Sequence, residues 1–502
     1  MASWLRRSRS PGVWLVTTFV LLGLAWIISS PPGAGVDETS HYIRVAGLAH
    51  GQLLGDPVDP DRPLGDLAGE QLRRVNAEAG MYRIPGAGPP PSACNVFDPA
   101  MPYVCPQYPQ QEMARNEVSL HARYLPGAYV VPAAFAWFGS TMWQTLALAR
   151  LGMLLQNAAL LLVVVRALGV LHRCGWRFTT GSAALAALSF TPLLAFLSGT
   201  LSPSSTEAWA VAAFVASLVA LARTGSSRWL WLAVATAVTA CWVRDLGAAA
   251  VVLSTVLVAV LEPGLRRWWR TARRDRWWAT GAVLVAVVAA MLWQAALKQP
   301  VAPTSLSLGD LWRELREVPG TLRNAVGLLG WLNVPLDPLV ETAWILAWVA
   351  AFGMVVVSGS RRLRQVLVVQ GVVVVVAAVV LSLSMRAAGF GMQVRFLLPL
   401  LAMLVLLAVT SPSGDRPMSP WIVRVVLAVC ALGHGSGLLI SAHRNANGLT
   451  GGSIDFGAAA WFPPGGWLPA VALGATACLM LACTPLRRGA DSSAAEPGGP
   501  GR

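Results

Sequence analysis

The chain has 502 residues, 55% hydrophobic and only 12% charged, with a formal net charge of +14. Soluble domains carry about 25% charged residues, so a composition this apolar excludes a water-soluble fold of this size. The basic residues do not form a nucleic-acid-binding stripe. They sit in short clusters between apolar runs: Arg6, Arg7 and Arg9; Arg166, Arg173 and Arg177; Arg266 to Arg276; Arg361, Arg362 and Arg364; Arg487 and Arg488. That is the positive-inside pattern of a membrane protein.

The first apolar run, residues 13–29, follows the N-terminal arginines. It is long for a signal-peptide core and no small-x-small cleavage site follows, so it reads as an uncleaved first helix leading outward. Residues 30–142 then form a large extracytoplasmic loop, too long to be a mere connector. Within it, residues 125–138 are apolar but short and contain Pro126 and Pro132, which suits an interfacial or re-entrant helix better than a span. The charge rule agrees, because a span there would put every later basic cluster outside.

Eleven further spans are expected at about residues 143–165, 180–197, 206–222, 229–242, 247–261, 278–297, 342–357, 366–383, 396–409, 422–441 and 467–483. The expected fold is thus an all-α integral membrane protein of about 12 transmembrane helices. A cytoplasmic N-terminus and first helix (1–29) precede the loop, a polytopic domain (143–485) follows it, and a polar cytoplasmic tail (486–502) ends the chain. Both termini are expected inside, in the plasma membrane of a bacterium.

Of 7 cysteines, Cys94 and Cys105 alone fall in the external loop, bracketing CNVFDPAMPYVC. An oxidising compartment favours a disulfide between them; the alternative is two free thiols. The other five lie in or beside helices and read as small core residues.

The residues that could carry chemistry collect on the outer face. Asp37 and Glu38 stand just beyond the first helix, with His41 three residues after Glu38. Such carboxylates suit general-base work on an acceptor hydroxyl; the plainer reading is an N-cap and dipole partner for a short surface helix. Arg395, in GMQVRF, could hold a phosphate bidentately or snorkel as an interface arginine. Arg244 and Asp245 could pair with each other or offer a further phosphate contact. Trp331, in GWLNVPL, could stack on a sugar face or sit as an ordinary interfacial tryptophan. No metal-ligand motif is legible. Glu38-x-x-His41 is half of a di-iron pattern without its second copy; a divalent metal is left open as a cofactor, and none is required by the sequence.

Taken in order, residues 37–51 (DETSHYIRVAGLAHG), 94–105, 123–129 (RYLPGAY), 201–205 (LSPSS), 330–336 (GWLNVPL) and 391–398 (GMQVRFLL) resemble the bacterial membrane family called domain of unknown function 2142. The family resembles in turn the C-type (GT-C) glycosyltransferases, which use polyprenyl-phosphate sugars on the outer leaflet. The resemblance implies a catalytic role for Asp37, with Glu38 beside it, and leaves open which of the two is the base; the side chains' own chemistry puts the expected substrate contacts among His41, Arg44, Arg244, Asp245, Trp331 and Arg395. It implies a polyprenyl-phosphate-linked sugar and an envelope glycan acceptor as partners, with the lipid bilayer around the chain and no nucleic acid. The chain departs from the family pattern at Val394-Arg395-Phe396, where Gly-Arg-Tyr is expected, and at Ser202-Pro203-Ser204, where Asn-Pro-Asp is expected. Other readings are a transporter or flippase for a lipid-linked glycan, and a non-enzymatic envelope assembly factor. Against transport, no internal repeat is visible and the polar groups crowd one face.

Overall fold

The computed structural model describes residues 11–65, 67–84, 97–104, 115–173, 180–271, 273–297, 307–358, 360–387, 391–410, 419–449 and 459–483. Cys94 and Cys105 lie outside them. Helix α1 (Pro11–Ser29) is the first apolar run. The segment after it holds α2 (Glu38–Ala49), α3 (Gly69–Glu78) and two antiparallel strands, β1 (Gly80–Ile84) and β2 (Arg115–Ser119). A single 3-10 turn (Pro126–Ala128) and the two-turn α4 (Val130–Ala136) then form the short apolar piece. At 7 residues α4 is far too short to cross a bilayer, as expected.

The bundle continues with α5 (Met142–Arg173), α6 (Thr180–Ser189), α7 (Pro192–Gly199), α8 (Pro203–Thr224), α9 (Ser227–Val243), α10 (Gly247–Leu261), α11 (Pro263–Thr271) and α12 (Arg273–Leu297). It ends with α13 (Leu308–Gly327), a two-residue strand pair (β3 Leu328–Leu329, β4 Val334–Pro335), α14 (Pro338–Ser358), α15 (Arg361–Ala387), α16 (Leu398–Thr410), α17 (Pro420–Asn447) and α18 (Leu468–Ala482).

Each expected span coincides with a helix, but not all are full length. Among the described residues seven helices are long and apolar enough to cross a membrane. An eighth span results if α10 and α11, bent by 101° to each other, are taken together. The expected span at 180–197 is broken between α6 and α7. Pro192 cannot continue the first helix, and Thr191 caps the second by accepting from the Leu194 amide at 3.2 Å. Helices α9 and α18 are apolar but shorter than a full crossing.

Helix α8 is the axis of the bundle and is almost wholly buried, whereas α12 leaves most of its apolar surface uncovered. Around the axis, Trp26 packs edge-on against Phe196 at 5.1 Å and Phe19 against Trp209 at 5.3 Å. Polar contacts join helices inside this core. Asn157 donates to Ser205 Oγ at 2.9 Å and accepts from Thr206 Oγ1 at 2.8 Å, the side-chain pairing that holds transmembrane helices together.

Helix α13 has an exposed apolar stripe at Leu308, Leu311, Trp312 and Leu315, the spacing of one helical face. Its N-terminus carries a capping box between Ser307 and Asp310. Ion pairs also pin the helix: buried Glu314 pairs with Arg386 at 2.6 Å, and Arg323 with Glu341 at 2.5 Å.

The short helix α2 is locked against β1 because residue 47 is glycine. A Cβ there would lie 2.1 Å from Tyr82 Cδ1. Gly47→Val will therefore lower stability by about 1–3 kcal/mol through overpacking, read as a fall in the melting temperature of the detergent-solubilised protein.

Candidate active site

The turn joining α1 to α2 is held from beneath. Arg150, inside α5, donates to the carbonyls of Ser30 at 2.7 Å and Pro31 at 2.8 Å. It also donates to the Ile27 carbonyl at 3.3 Å and to Glu38 through Nε at 2.8 Å and Nη2 at 2.7 Å. Glu38 also accepts from the Leu201 amide at 3.1 Å and the Gly35 amide at 3.3 Å. Its side chain is fully buried. This is a bidentate, fully bonded ion pair, and it anchors the turn to α5 and to the start of α8.

Asp37, one residue earlier, is built differently. Its backbone is left-handed (φ 59°, ψ 13°) and its side chain makes no capping bond to α2. A non-glycine residue there costs about 1–3 kcal/mol and persists only where surrounding contacts hold it. The conformation turns the carboxylate, 23% exposed, toward Arg395 and His121. Arg395 Nη2 donates to Asp37 Oδ2, and Nη1 donates to the Val36 carbonyl at 3.3 Å. His121 Nε2 stands 3.4 Å from the same Oδ2. Burial works to raise the Asp37 carboxyl, but the Arg395 guanidinium and His121 outweigh it and hold it well below the usual carboxylate range.

His41, one turn into α2, is buried and bonded through Nδ1 to the Tyr129 hydroxyl at 2.9 Å. Its ring lies 4.6 Å from that of His121, which in turn lies 4.4 Å from Tyr124. Burial and the neighbouring His121 hold His41 well below its usual range, so it is neutral. Arg44 lies below this stack. It is buried, donates to the His121 carbonyl at 2.8 Å and to the Tyr124 carbonyl, and stands 4.9 Å from the Tyr129 ring centre. Its guanidinium therefore shapes the segment that carries His121.

Arg244, at the end of α9, donates to Ser204 Oγ at 2.6 Å and stands 4.0 Å from buried Glu207. Both its guanidinium and that of Arg395 lie against Phe396, at 4.5 and 5.5 Å from the ring centre. Asp245 is exposed beside it. Trp331 belongs to the rim: its Nε1 donates to the Gly33 carbonyl at 2.8 Å and its ring meets Phe97 edge-on at 5.8 Å.

Asp37, His41, Arg395 and Arg244 thus converge at one end of the bundle, while Glu38 and Arg44 support it from within. Sequence reasoning did not find His121, Tyr129, Glu207 or the pairing of Arg150 with Glu38. The signal nearest to His121 was the motif at residues 123–129 that follows it.

No curated protein sequence matches the chain. Among solved structures, ArnT from Cupriavidus metallidurans in the apo state aligns with a TM-score of 0.42 and 13% identity, over 94% of this chain and 76% of that one. A likeness so distant carries no weight for the chemistry. The profile of one family, described as predicted membrane protein (DUF2142), matches residues 19–405. With that match covering most of the bundle and every residue of the site described above, the chain belongs to the DUF2142 family of membrane proteins.

Proposed function

We propose that the protein is a membrane glycosyltransferase of the C-type (GT-C) class, moving a sugar from a polyprenyl-phosphate donor to an envelope acceptor at the outer face of a bacterial plasma membrane. The observation that carries this reading is the Asp37–Arg395 pair: an ionised, partly exposed carboxylate in a strained backbone beside a buried guanidinium. In the reaction, Asp37 accepts the proton of the acceptor hydroxyl. The acceptor oxygen bonds to the anomeric carbon, the carbon–oxygen bond to phosphate breaks, and polyprenyl phosphate leaves with both bonding electrons. Arg395 and Arg244 hold the phosphate, where a bidentate guanidinium is the best-suited cation. The motif resemblance adds the substrate class, since nucleotide sugars stay in the cytoplasm and cannot reach an outer-face site.

The test is sugar release in proteoliposomes supplied with a panel of polyprenyl-phosphate sugars. At least one donor will turn over. Absence of turnover with every donor, alongside unidirectional movement of a labelled lipid-linked sugar, would replace transfer by transport. Arg395→Gln removes the charged hydrogen bonds to phosphate, each with a net value of about 1.5–3 kcal/mol. Donor binding, measured with a non-cleavable phosphonate analogue, will weaken by about 10- to 100-fold. An unchanged Kd would remove Arg395 from the phosphate site.

A further inference from the structure

We propose that Asp37, His41 and His121 form a binding site for a divalent transition-metal ion, zinc foremost. One ligand atom from each of the three lies within 4.8 Å of the others. Two imidazoles and one carboxylate with a fourth position open to substrate is the donor set of a catalytic zinc site. Imidazole donors select zinc, cobalt or iron over magnesium, which prefers oxygen.

The surroundings are built to hold those ligands. The Tyr129 hydroxyl bonds His41 Nδ1 at 2.9 Å. That fixes the ring and leaves Nε2 as the remaining ligand atom, the arrangement in which an outer hydrogen bond orients a metal-bound histidine. Buried Arg44 holds the backbone carbonyl of His121, and Tyr124 packs on its ring. The left-handed backbone at Asp37 keeps its carboxylate between the histidines and Arg395. Arg395 and His121 both approach Oδ2, and Oδ1 has no hydrogen bond among the described residues. The ion takes Oδ1, and Oδ2 keeps its bond to Arg395.

Charge sets one further property. Arg395 already balances Asp37, and Arg244 adds a second positive charge nearby. An ion raises the local positive charge, so a phosphate-bearing ligand will tighten its binding, and by linkage the ion will tighten phosphate binding by the same factor. This last step rests on the transfer reading; the metal site itself does not.

The experiment uses the tag-free, full-length protein in detergent, stripped with chelator and titrated with Zn²⁺ and with Co²⁺. Elemental analysis after dialysis and the visible absorption of four-coordinate cobalt are the readouts. One equivalent will be retained per chain. His41→Ala and His121→Ala will each reduce it to background, and Tyr129→Phe will weaken affinity by about 10- to 100-fold. His50→Ala, at the end of the same helix and packed against Trp137, will leave binding unchanged. If an alanine variant fails to accumulate, His121→Gln preserves bulk and serves in its place. Stoichiometric zinc that survives both histidine replacements would overturn the site, as would retention of magnesium or manganese without zinc or cobalt. Zinc bound without donor turnover would leave the site standing and remove the transferase reading; turnover without bound metal would do the reverse.

Discussion

Asp37→Asn will lower donor turnover by about 10²- to 10⁴-fold, the usual contribution of a positioned general base, while donor binding, compared in chelator-stripped protein, remains at least as tight as in the wild type. The two halves follow from one contact. Asn keeps the size of Asp and tolerates the left-handed backbone found at residue 37, so the turn survives. It cannot accept the acceptor's proton, so the chemical step is lost. It also carries no charge to compete for Arg395, which now donates to the Asp37 carboxylate and becomes freer for phosphate. A purely structural Asp37 would give the opposite pattern: weaker binding, a lower melting temperature, and turnover reduced only in proportion.

The resting contact also shapes the pH dependence. A carboxylate held below its ordinary range by Arg395 and His121 stays ionised through mildly acidic conditions, and its protonation at lower pH removes the base. The acid limb of kcat/KM, which reports the free enzyme, will therefore lie below the usual carboxylate range. A carboxylate so stabilised is a weak base. In the transfer proposed above, phosphate binding at Arg395 would draw the guanidinium off Oδ2 and strengthen the base when a donor is present.

The legible parts of this molecule were those a bilayer dictates. Among the described residues, apolar runs located every helix long enough to cross, because each crossing needs about 20 apolar residues whatever its neighbours are, and the short run with Pro126 and Pro132 was recognisably not a span. Span lengths were less legible. Pro192 breaks one expected helix in two, and α10 turns through 101° into α11, because local backbone constraints override mean hydropathy. Helix α13 was missed since its polar composition gives no hydropathy peak, although Ser307 and Asp310 mark its start. The strand pair β1–β2 brings Ile84 opposite Arg115, far along the chain, so no local signal exists. The site was half legible for the same reason. Asp37, His41, Arg244 and Arg395 stand in motifs at predicted helix ends, but His121 and Arg150 meet Asp37 and Glu38 only through tertiary packing.

Glu38→Ala will be the most destabilising single change at the site, costing about 3–5 kcal/mol, because it strips a buried cation of its partner. Arg150 would keep its carbonyl contacts at Ser30 and Pro31 but lose both carboxylate bonds, and the Leu201 amide would lose its acceptor. Arg150→Met will cost a similar amount. The double variant will cost less than the sum, since neither charge is then left alone. It will not recover wild-type stability, because the two carbonyls and the Leu201 amide stay unpaired. Thermal unfolding of the four proteins in one detergent measures the cycle. Turnover decides the role: with Glu38 as an anchor, Glu38→Gln loses stability and activity together. A Glu38→Gln protein that keeps its melting temperature yet loses turnover would instead make Glu38 the proton acceptor and leave Asp37 to position it.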